Sequence, residues 1–178
     1  MNSNQFELKL LELHWLKNTN EQKDLCCHGT VFVRIGDEII CDKDKIIEVT
    51  VSSTALHLMR TLKENYQKGD YGNQLLPCCG HFIVADEEDF VIICGCPIGI
   101  DWTIIHTDDG KVKHISEKGS EAIIDKEIYK TLVFDFADQV ESFYQNSLPK
   151  IIPEDDFEKN GYLAFWNEWR NLCQEFSN

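Results

Sequence analysis

The sequence predicts a single α+β domain over residues 1–178, in which one internal helix and two C-terminal helices pack on one face of a mainly antiparallel sheet. Three observations favour this class. Short segments with strand-like alternation are joined by turns too short for parallel crossovers. One helical pattern interrupts these segments, and two longer ones follow them. Hydrophobic residues make up 43% of the chain, as in an ordinary globular protein.

The N-terminal segment Phe6–Leu16 fits both a strand and a helix. Apolar residues alternate as far as Leu10 and continue one residue out of phase from Leu11, while a helical spacing through Leu13 also fits. We favour a strand with a bulge, because both faces of this short segment carry apolar residues.

A hairpin and another strand follow. Thr30–Ile35 and Glu38–Cys41 flank Gly36 and Asp37, and glycine at the first central position suits a two-residue type II′ turn. The segment Ile46–Val51 (IIEVTV) is predicted as the next strand.

The internal helix is predicted to begin after a capping hydroxyl of Ser52, Ser53 or Thr54. Its apolar residues recur at helical spacing and give one buried stripe, with His57 exposed on the polar side. The stripe consists of Ala55, Leu58, Met59, Leu62 and Tyr66.

The rest of the chain is predicted as a meander followed by two helices. Asp125 is expected to cap a long helix that ends near Asn146. An amphipathic helix begins near Glu154, and Gly161 is expected to weaken or break its first half. The strands of the meander are His81–Ala85, Phe90–Cys94, Asp101–His106, Lys111–Ile115 and Ala122–Ile124.

The chain carries 17 lysine and arginine residues against 31 aspartate and glutamate residues, a formal charge of −14. This charge repels nucleic-acid phosphates and anionic lipid, so we expect neither nucleic acid nor a membrane as a partner. A basic protein partner fits the charge, and so does plain solubility. The N-terminus lacks a signal-peptide pattern and no segment is apolar enough to span a bilayer, so we expect a cytoplasmic protein with eight reduced cysteines.

The segment PCCGHFIVADEEDFVIICGC combines cysteines and a histidine around an acidic turn. A turn centred in the acidic run places Cys79 opposite Cys96 and His81 opposite Cys94, with all four side chains on one face. These groups suit zinc chemically, but alternate strand residues lie about 6.5–7 Å apart, too far for ligands of one ion without a bulge. Buried packing cysteines are therefore the main interpretation, and a zinc site is the alternative.

A similar cluster, Cys26, Cys27 and His28, precedes the first hairpin, and folding could bring the two clusters together around one metal ion. A nucleophilic pair of Cys79 and His81 is disfavoured, because the neighbouring acidic residues raise the pKa of a thiol. Dinucleotide-binding, phosphate-loop, zinc-protease and serine-hydrolase motifs are absent from the sequence. The sequence thus assigns no catalytic, cofactor-binding or metal-binding residue.

Two aromatic groups are candidate anchors for a partner, namely Trp102 with Asp101 and the stretch FWNEWR at residues 165–170. Packing in the core is the favoured interpretation of both, because tryptophan buries a large apolar area. The acidic runs Asp86–Asp89 and Glu154–Asp156 are either docking sites for a basic partner or solvated turns.

The strings HGTVFVRIGDEI, LLPCCGHF, GCPIGIDW and GYLAFWNEW resemble a small family of bacterial proteins of uncharacterised function, to which no activity is attached. In composition and architecture the chain is also loosely similar to immunity proteins of bacterial polymorphic toxin systems, which are often acidic because they cover basic nucleases. That resemblance implies a cytoplasmic interaction protein that inhibits a basic partner. The alternative is a zinc-binding protein or small metalloenzyme using Cys79, His81, Cys94 and Cys96. The identity of the partner and the oligomeric state stay open.

Overall fold

The structure confirms the α+β class, with one internal helix, two C-terminal helices and antiparallel strands. The computed structural model describes residues 5–17, 19–44, 48–80, 82–87, 89–95 and 97–176. In chain order the elements are β1 (Phe6–His14), a short 3₁₀ helix (Glu21–Lys23), β2 (His28–Ile35), β3 (Glu38–Cys41), β4 (Val49–Thr50), α1 (Val51–Arg60), β5 (Leu76–Pro77), β6 (Phe82–Glu87), β7 (Phe90–Cys94), β8 (Gly99–Ile100), β9 (Trp102–His106), β10 (Lys111–Ser116), β11 (Glu121–Asp125), α2 (Lys126–Gln145) and α3 (Asp156–Phe176).

The described strands are divided among four antiparallel sheets. In the largest, β1 pairs along one edge of β2, and both β3 and β4 pair along the other. Strands β9, β10 and β11 form a meander, while β6–β7 and β5–β8 are separate pairs. The predicted strands from 82 to 125 all form with small differences at their ends, and Gly36 takes the positive φ of 58° that the first hairpin turn requires.

The N-terminal segment is a strand with a bulge. Its pairing with β2 shifts register between Leu10 and Glu12, where the apolar alternation also slips. Just beyond the bulge the two strands approach closely at Gly29, which pairs with Leu13, because a Cβ on Gly29 would overlap the carbonyl oxygen of Glu12. The favoured interpretation of the sequence was therefore the right one here.

Both ends of α1 differ from the prediction, and the helix ends at Arg60, before Leu62 and Tyr66 of the predicted stripe. The helix begins at Val51, so the strand predicted before it is reduced to Val49–Thr50, and residues 46 and 47 lie outside the described part of the chain. Thr50 occupies the N-cap position without a side-chain capping bond, and residues 52–54 lie inside the helix. The Ser53 hydroxyl donates a tertiary hydrogen bond of 2.7 Å to the carbonyl of Gly80, and the Thr54 hydroxyl donates to the carbonyl of Thr50 at 3.1 Å.

Burial of α1 on every side contradicts the predicted single stripe. All ten of its residues are buried, including His57, which was expected on an exposed polar side. The helix packs against α2 and also contacts α3, β2 and β5. Because other elements cover α1 on several sides, it has no solvent-facing side, although an apolar pattern on one side of a helix normally indicates one. The buried hydrophobic residues of the protein form a core cluster around this helix.

The two C-terminal helices run as predicted, with one difference at Gly161. Asp125 occupies the N-cap position of α2 as predicted, but its side chain makes no capping hydrogen bond. Helix α3 packs on the β6–β7 hairpin. Helix α3 is continuous through Gly161. A Cβ at this position would overlap the carbonyl oxygen of Ile83, so glycine permits close packing on the hairpin and does not break the helix.

Candidate functional site

The Cys/His hairpin has a different register from the predicted one. Cys94 pairs with Phe82, one residue away from His81, and the register shifts between Ala85 and Glu87. His81 and Cys96 themselves lie outside the described residues. The predicted same-face set is therefore wrong in register, because a bulge in the acidic turn changes which residues oppose each other.

No described residues form a group of three or more metal-binding side chains. Cys79 is half-buried and Cys94 is exposed, on the solvent side of its hairpin. Since two of the four proposed ligands are not described, the zinc hypothesis for this set stays a prediction.

The second cluster packs at the start of α1. Cys27 accepts a backbone hydrogen bond of 2.9 Å from Val51, and the backbone N–H of Gly80 donates to Thr50 Oγ1 at 2.9 Å, so both sequence clusters adjoin the same helix terminus. Burial raises the pKa of Cys26 and of Cys27 to about 12. These thiols are neutral at physiological pH and act as packing groups.

The aromatic anchors predicted as alternatives lie in the core. Trp102 is 1% exposed, and the neighbouring Asp101 accepts hydrogen bonds from the Tyr66 hydroxyl at 3.0 Å and from the Leu75 amide at 3.3 Å. In α3, Trp169 is likewise 1% exposed. The structure thus places these groups where the favoured interpretation expected them.

The described part of the chain carries an acidic groove on its surface. It lies between the end of α1, the loop that follows, the start of β7 and the C-terminal half of α3, and it encloses about 690 Å³. The lining consists of Arg60, Lys63, Glu64, Asn65, Asp70, Tyr71, Asp89, Phe90, Glu168, Asn171, Leu172 and Glu175.

A buried ion pair forms the floor of this acidic groove. Arg60 Nε and Nη2 donate to the two carboxylate oxygens of Glu168 at 2.6 and 2.8 Å. Both side chains also hold strand β7, since Arg60 donates to the carbonyl of Val91 at 2.6 Å and Glu168 accepts from its amide at 2.9 Å. Two-point pairing of this kind fixes the geometry of both planar groups.

Two aromatic rings lie beside the ion pair. The guanidinium carbon of Arg60 is 4.4 Å from the ring centre of Phe90 and 5.4 Å from that of Tyr71. Phe90 nevertheless keeps 41% of its surface exposed. The Tyr71 hydroxyl is buried with no hydrogen-bond partner among the described residues, and burial together with the nearby Glu64 raises its pKa. The rigid floor thus presents an apolar ring to solvent.

The charges of the acidic groove are unbalanced. Both of its cations are paired, Arg60 with Glu168 and Lys63 with Glu175 at 2.8 Å. The remaining carboxylates, those of Glu64, Asp70 and Asp89, are exposed and form no salt bridge with any described residue. Three uncompensated negative charges around an exposed ring favour binding of a cation. The described residues of the lining include no cysteine, serine or histidine.

Sequence reasoning identified Asp89 of this site as part of an acidic run, and it included Glu168 only as one residue of the aromatic stretch 165–170. The sequence did contain a signal for the buried ion pair that forms the floor of the groove. Glu168 lies seven residues after Gly161 and four before Leu172, on the apolar face of its helix, where a carboxylate needs a buried partner. Its partner Arg60 is 108 residues away in the sequence.

Comparison of the chain with protein-family models, with curated proteins and with solved structures finds no match. Of the helices that the structure describes, none combines the length and the apolar composition needed to cross a bilayer.

Proposed function

We propose that this protein is a bacterial cytoplasmic interaction protein that binds a basic partner protein through the acidic groove, as an immunity-type inhibitor does. The observation that supports the proposal is the grouping of three uncompensated carboxylates, on Glu64, Asp70 and Asp89, around the exposed ring of Phe90. A partner's arginine or lysine side chain would pair with these carboxylates and contact the ring.

The buried ion pair gives the acidic groove a fixed shape. Arg60 and Glu168 are each at most 6% exposed and are joined to each other and to strand β7 by four hydrogen bonds. A preorganised surface loses little conformational entropy when a partner binds. The charge of −14 on the whole chain adds long-range attraction, which accelerates encounter with a basic protein at low salt.

A charge-neutralised variant tests the proposal. We expect the triple variant Glu64→Gln, Asp70→Asn and Asp89→Asn to fold, since these side chains are exposed. If each carboxylate contributes about 0.5–1 kcal/mol, affinity for the partner falls by about ten-fold or more. The wild type and the variant are used as bait in native lysate of the source organism, and the captured protein is identified by mass spectrometry and titrated by calorimetry.

A matched control distinguishes the effect of the acidic groove on binding from the effect of the overall charge. The triple variant Glu12→Gln, Glu127→Gln and Asp135→Asn makes the same charge change at exposed positions outside the groove. We expect it to keep the basic partner with nearly wild-type affinity. Capture of the same partner by both variants, or capture of a partner that is not basic, would overturn the proposal.

A further inference from the structure

A second cavity shares no residue with the acidic groove. It lies between the 3₁₀ helix and the loop after it, strand β6 and the first half of α3, and it encloses about 490 Å³. This volume is in the range of small-molecule sites. Three apolar side chains on its lining, Leu16, Phe82 and Phe157, are each 45–51% exposed. A ligand in the cavity would cover apolar surface that is now in contact with water.

An aspartate and a histidine form the polar part of this second cavity. Asp24 and His28 both belong to its lining, and their side chains are only 7% and 9% exposed. Asp24 Oδ2 accepts a hydrogen bond of 2.8 Å from the amide of Leu16, and the weaker contact of its Oδ1 with the amide of Cys26 is 3.4 Å. The carboxylate is therefore held in place by the backbone but keeps capacity to accept further bonds.

The imidazole of His28 has an unused nitrogen. His28 Nε2 is buried and has no hydrogen-bond partner among the described residues, and its distance of 3.8 Å to Asp24 Oδ1 is too long for a hydrogen bond. A buried polar atom without a partner is costly, so a group that bonds to it there gains an interaction that water does not supply in the free protein.

The charge of the cavity favours a cationic ligand over an anionic one. Burial by itself raises the pKa of Asp24, but His28 and the two backbone amides outweigh it, so this pKa lies below its usual value and the group is ionised. The lining adds one further acid, Glu158, and one base, Lys23. An anionic ligand would face the buried carboxylate, whereas a cation would neutralise it.

We propose that this second cavity binds a small organic amine. The ammonium group donates hydrogen bonds to Asp24 Oδ1 and to Nε2 of a neutral His28 imidazole that carries its proton on Nδ1, so the ammonium supplies the positive charge beside the carboxylate. The apolar body of the molecule lies against Leu16, Phe82 and Phe157. The site is independent of the acidic groove and of any partner protein bound there.

Three phenyl compounds of similar size test the sign of the charge. Calorimetric titration at about pH 7 uses 2-phenylethylamine, which is protonated there, the neutral 2-phenylethanol and the anionic 3-phenylpropionate. We expect the amine to bind at least about ten-fold more tightly than the other two. Similar affinity for all three, or no binding of the amine, would overturn the proposal. This comparison needs only the wild-type protein.

Two isosteric variants then locate the amine. Asp24→Asn keeps an acceptor for the Leu16 amide but removes the charge, and it is expected to abolish the preference for the amine. Glu158→Gln removes an exposed charge from the same lining and is expected to keep the preference. In the wild type, the methyl resonances of the lining residue Ile83 should shift with the amine. An unchanged preference in Asp24→Asn, or its loss in Glu158→Gln, would place the amine elsewhere and refute the assignment.

Discussion

Replacing Glu168 by glutamine should destabilise the protein by about 3–5 kcal/mol, because it leaves the guanidinium of Arg60 buried without a counter-charge. The two residues are 6% and 5% exposed, so water cannot replace the lost carboxylate. Glutamine has nearly the same shape as glutamate, which excludes a cavity as the cause of the loss.

The hydrogen bonds of this pair support that magnitude. Glu168 accepts three short bonds, two from Arg60 and one of 2.9 Å from the amide of Val91. A glutamine side chain offers one oxygen and one NH₂ group, so at least one of these donors must face another donor. Since domains of this kind are stable by about 5–15 kcal/mol, the substitution removes a large fraction of the total.

The acidic groove contains its own control. Lys63 and Glu175 also form a direct ion pair, at 2.8 Å, but their side chains are 47% and 48% exposed. Glu175→Gln makes the same chemical change in the same groove, and we expect it to cost less than about 1 kcal/mol, because water and salt screen an exposed pair. The two substitutions differ in the burial of the ion pair and in the number of hydrogen bonds that the carboxylate accepts.

Urea denaturation followed by far-ultraviolet circular dichroism and by tryptophan fluorescence measures both effects. Coincident transitions and an unchanged m-value are required for the comparison of free energies. A loss below about 1 kcal/mol for Glu168→Gln, or equal losses for both variants, would refute the reasoning that burial makes this pair indispensable.

Two further predictions concern packing and pH. Gly161→Ala should lower the free energy of unfolding by at least about 1 kcal/mol, although alanine is the better helix former, because the new methyl group overlaps a backbone carbonyl of β6. Burial lowers the pKa of His114 to about 3, and its Nδ1 accepts a bond of 3.1 Å from Trp102. In the unfolded chain this imidazole is protonated near pH 6.5, so the free energy of unfolding should fall as the pH drops from about 6.5 towards 3. In His114→Gln this fall should be shallower by up to about 1.4 kcal/mol per pH unit.

Each of these predictions has an internal comparison, measured by urea denaturation. Asn160→Ala, at an exposed position of the same helix, should be neutral or slightly stabilising, and a similar gain for Gly161→Ala would contradict the packing argument. For the histidine, the slope is compared between wild type and His114→Gln over the same pH range. Identical slopes would mean that this imidazole is not kept neutral by the fold.

Local patterns were sufficient for most of the secondary structure. The slip in alternation after Leu10 indicated the bulge of β1, and Gly36 marked the first hairpin turn. The apolar stripes of α2 and α3 located both helices to within a few residues. These features depend on side-chain periods of two or 3.6 residues and on turn residues, all of which lie within a short stretch of sequence.

Other features depended on contacts between distant segments. The bulge between Ala85 and Glu87 changed the register of the Cys/His hairpin, and a one-residue slip moves every side chain to the other face. Burial of His57 required neighbours on all sides of α1. Gly161 looked like a helix breaker until its contact with Ile83 was known.

The sequence by itself determined the α+β class, the order of the elements and the strong negative charge. Only the tertiary structure decided where that charge is uncompensated. Arg60 and Glu168 are 108 residues apart, and Asp24 and His28 form a site only with apolar residues from β6 and α3. Periodicity records which side of a segment is buried, but it does not record which segment covers it, and both candidate sites are formed where such segments meet.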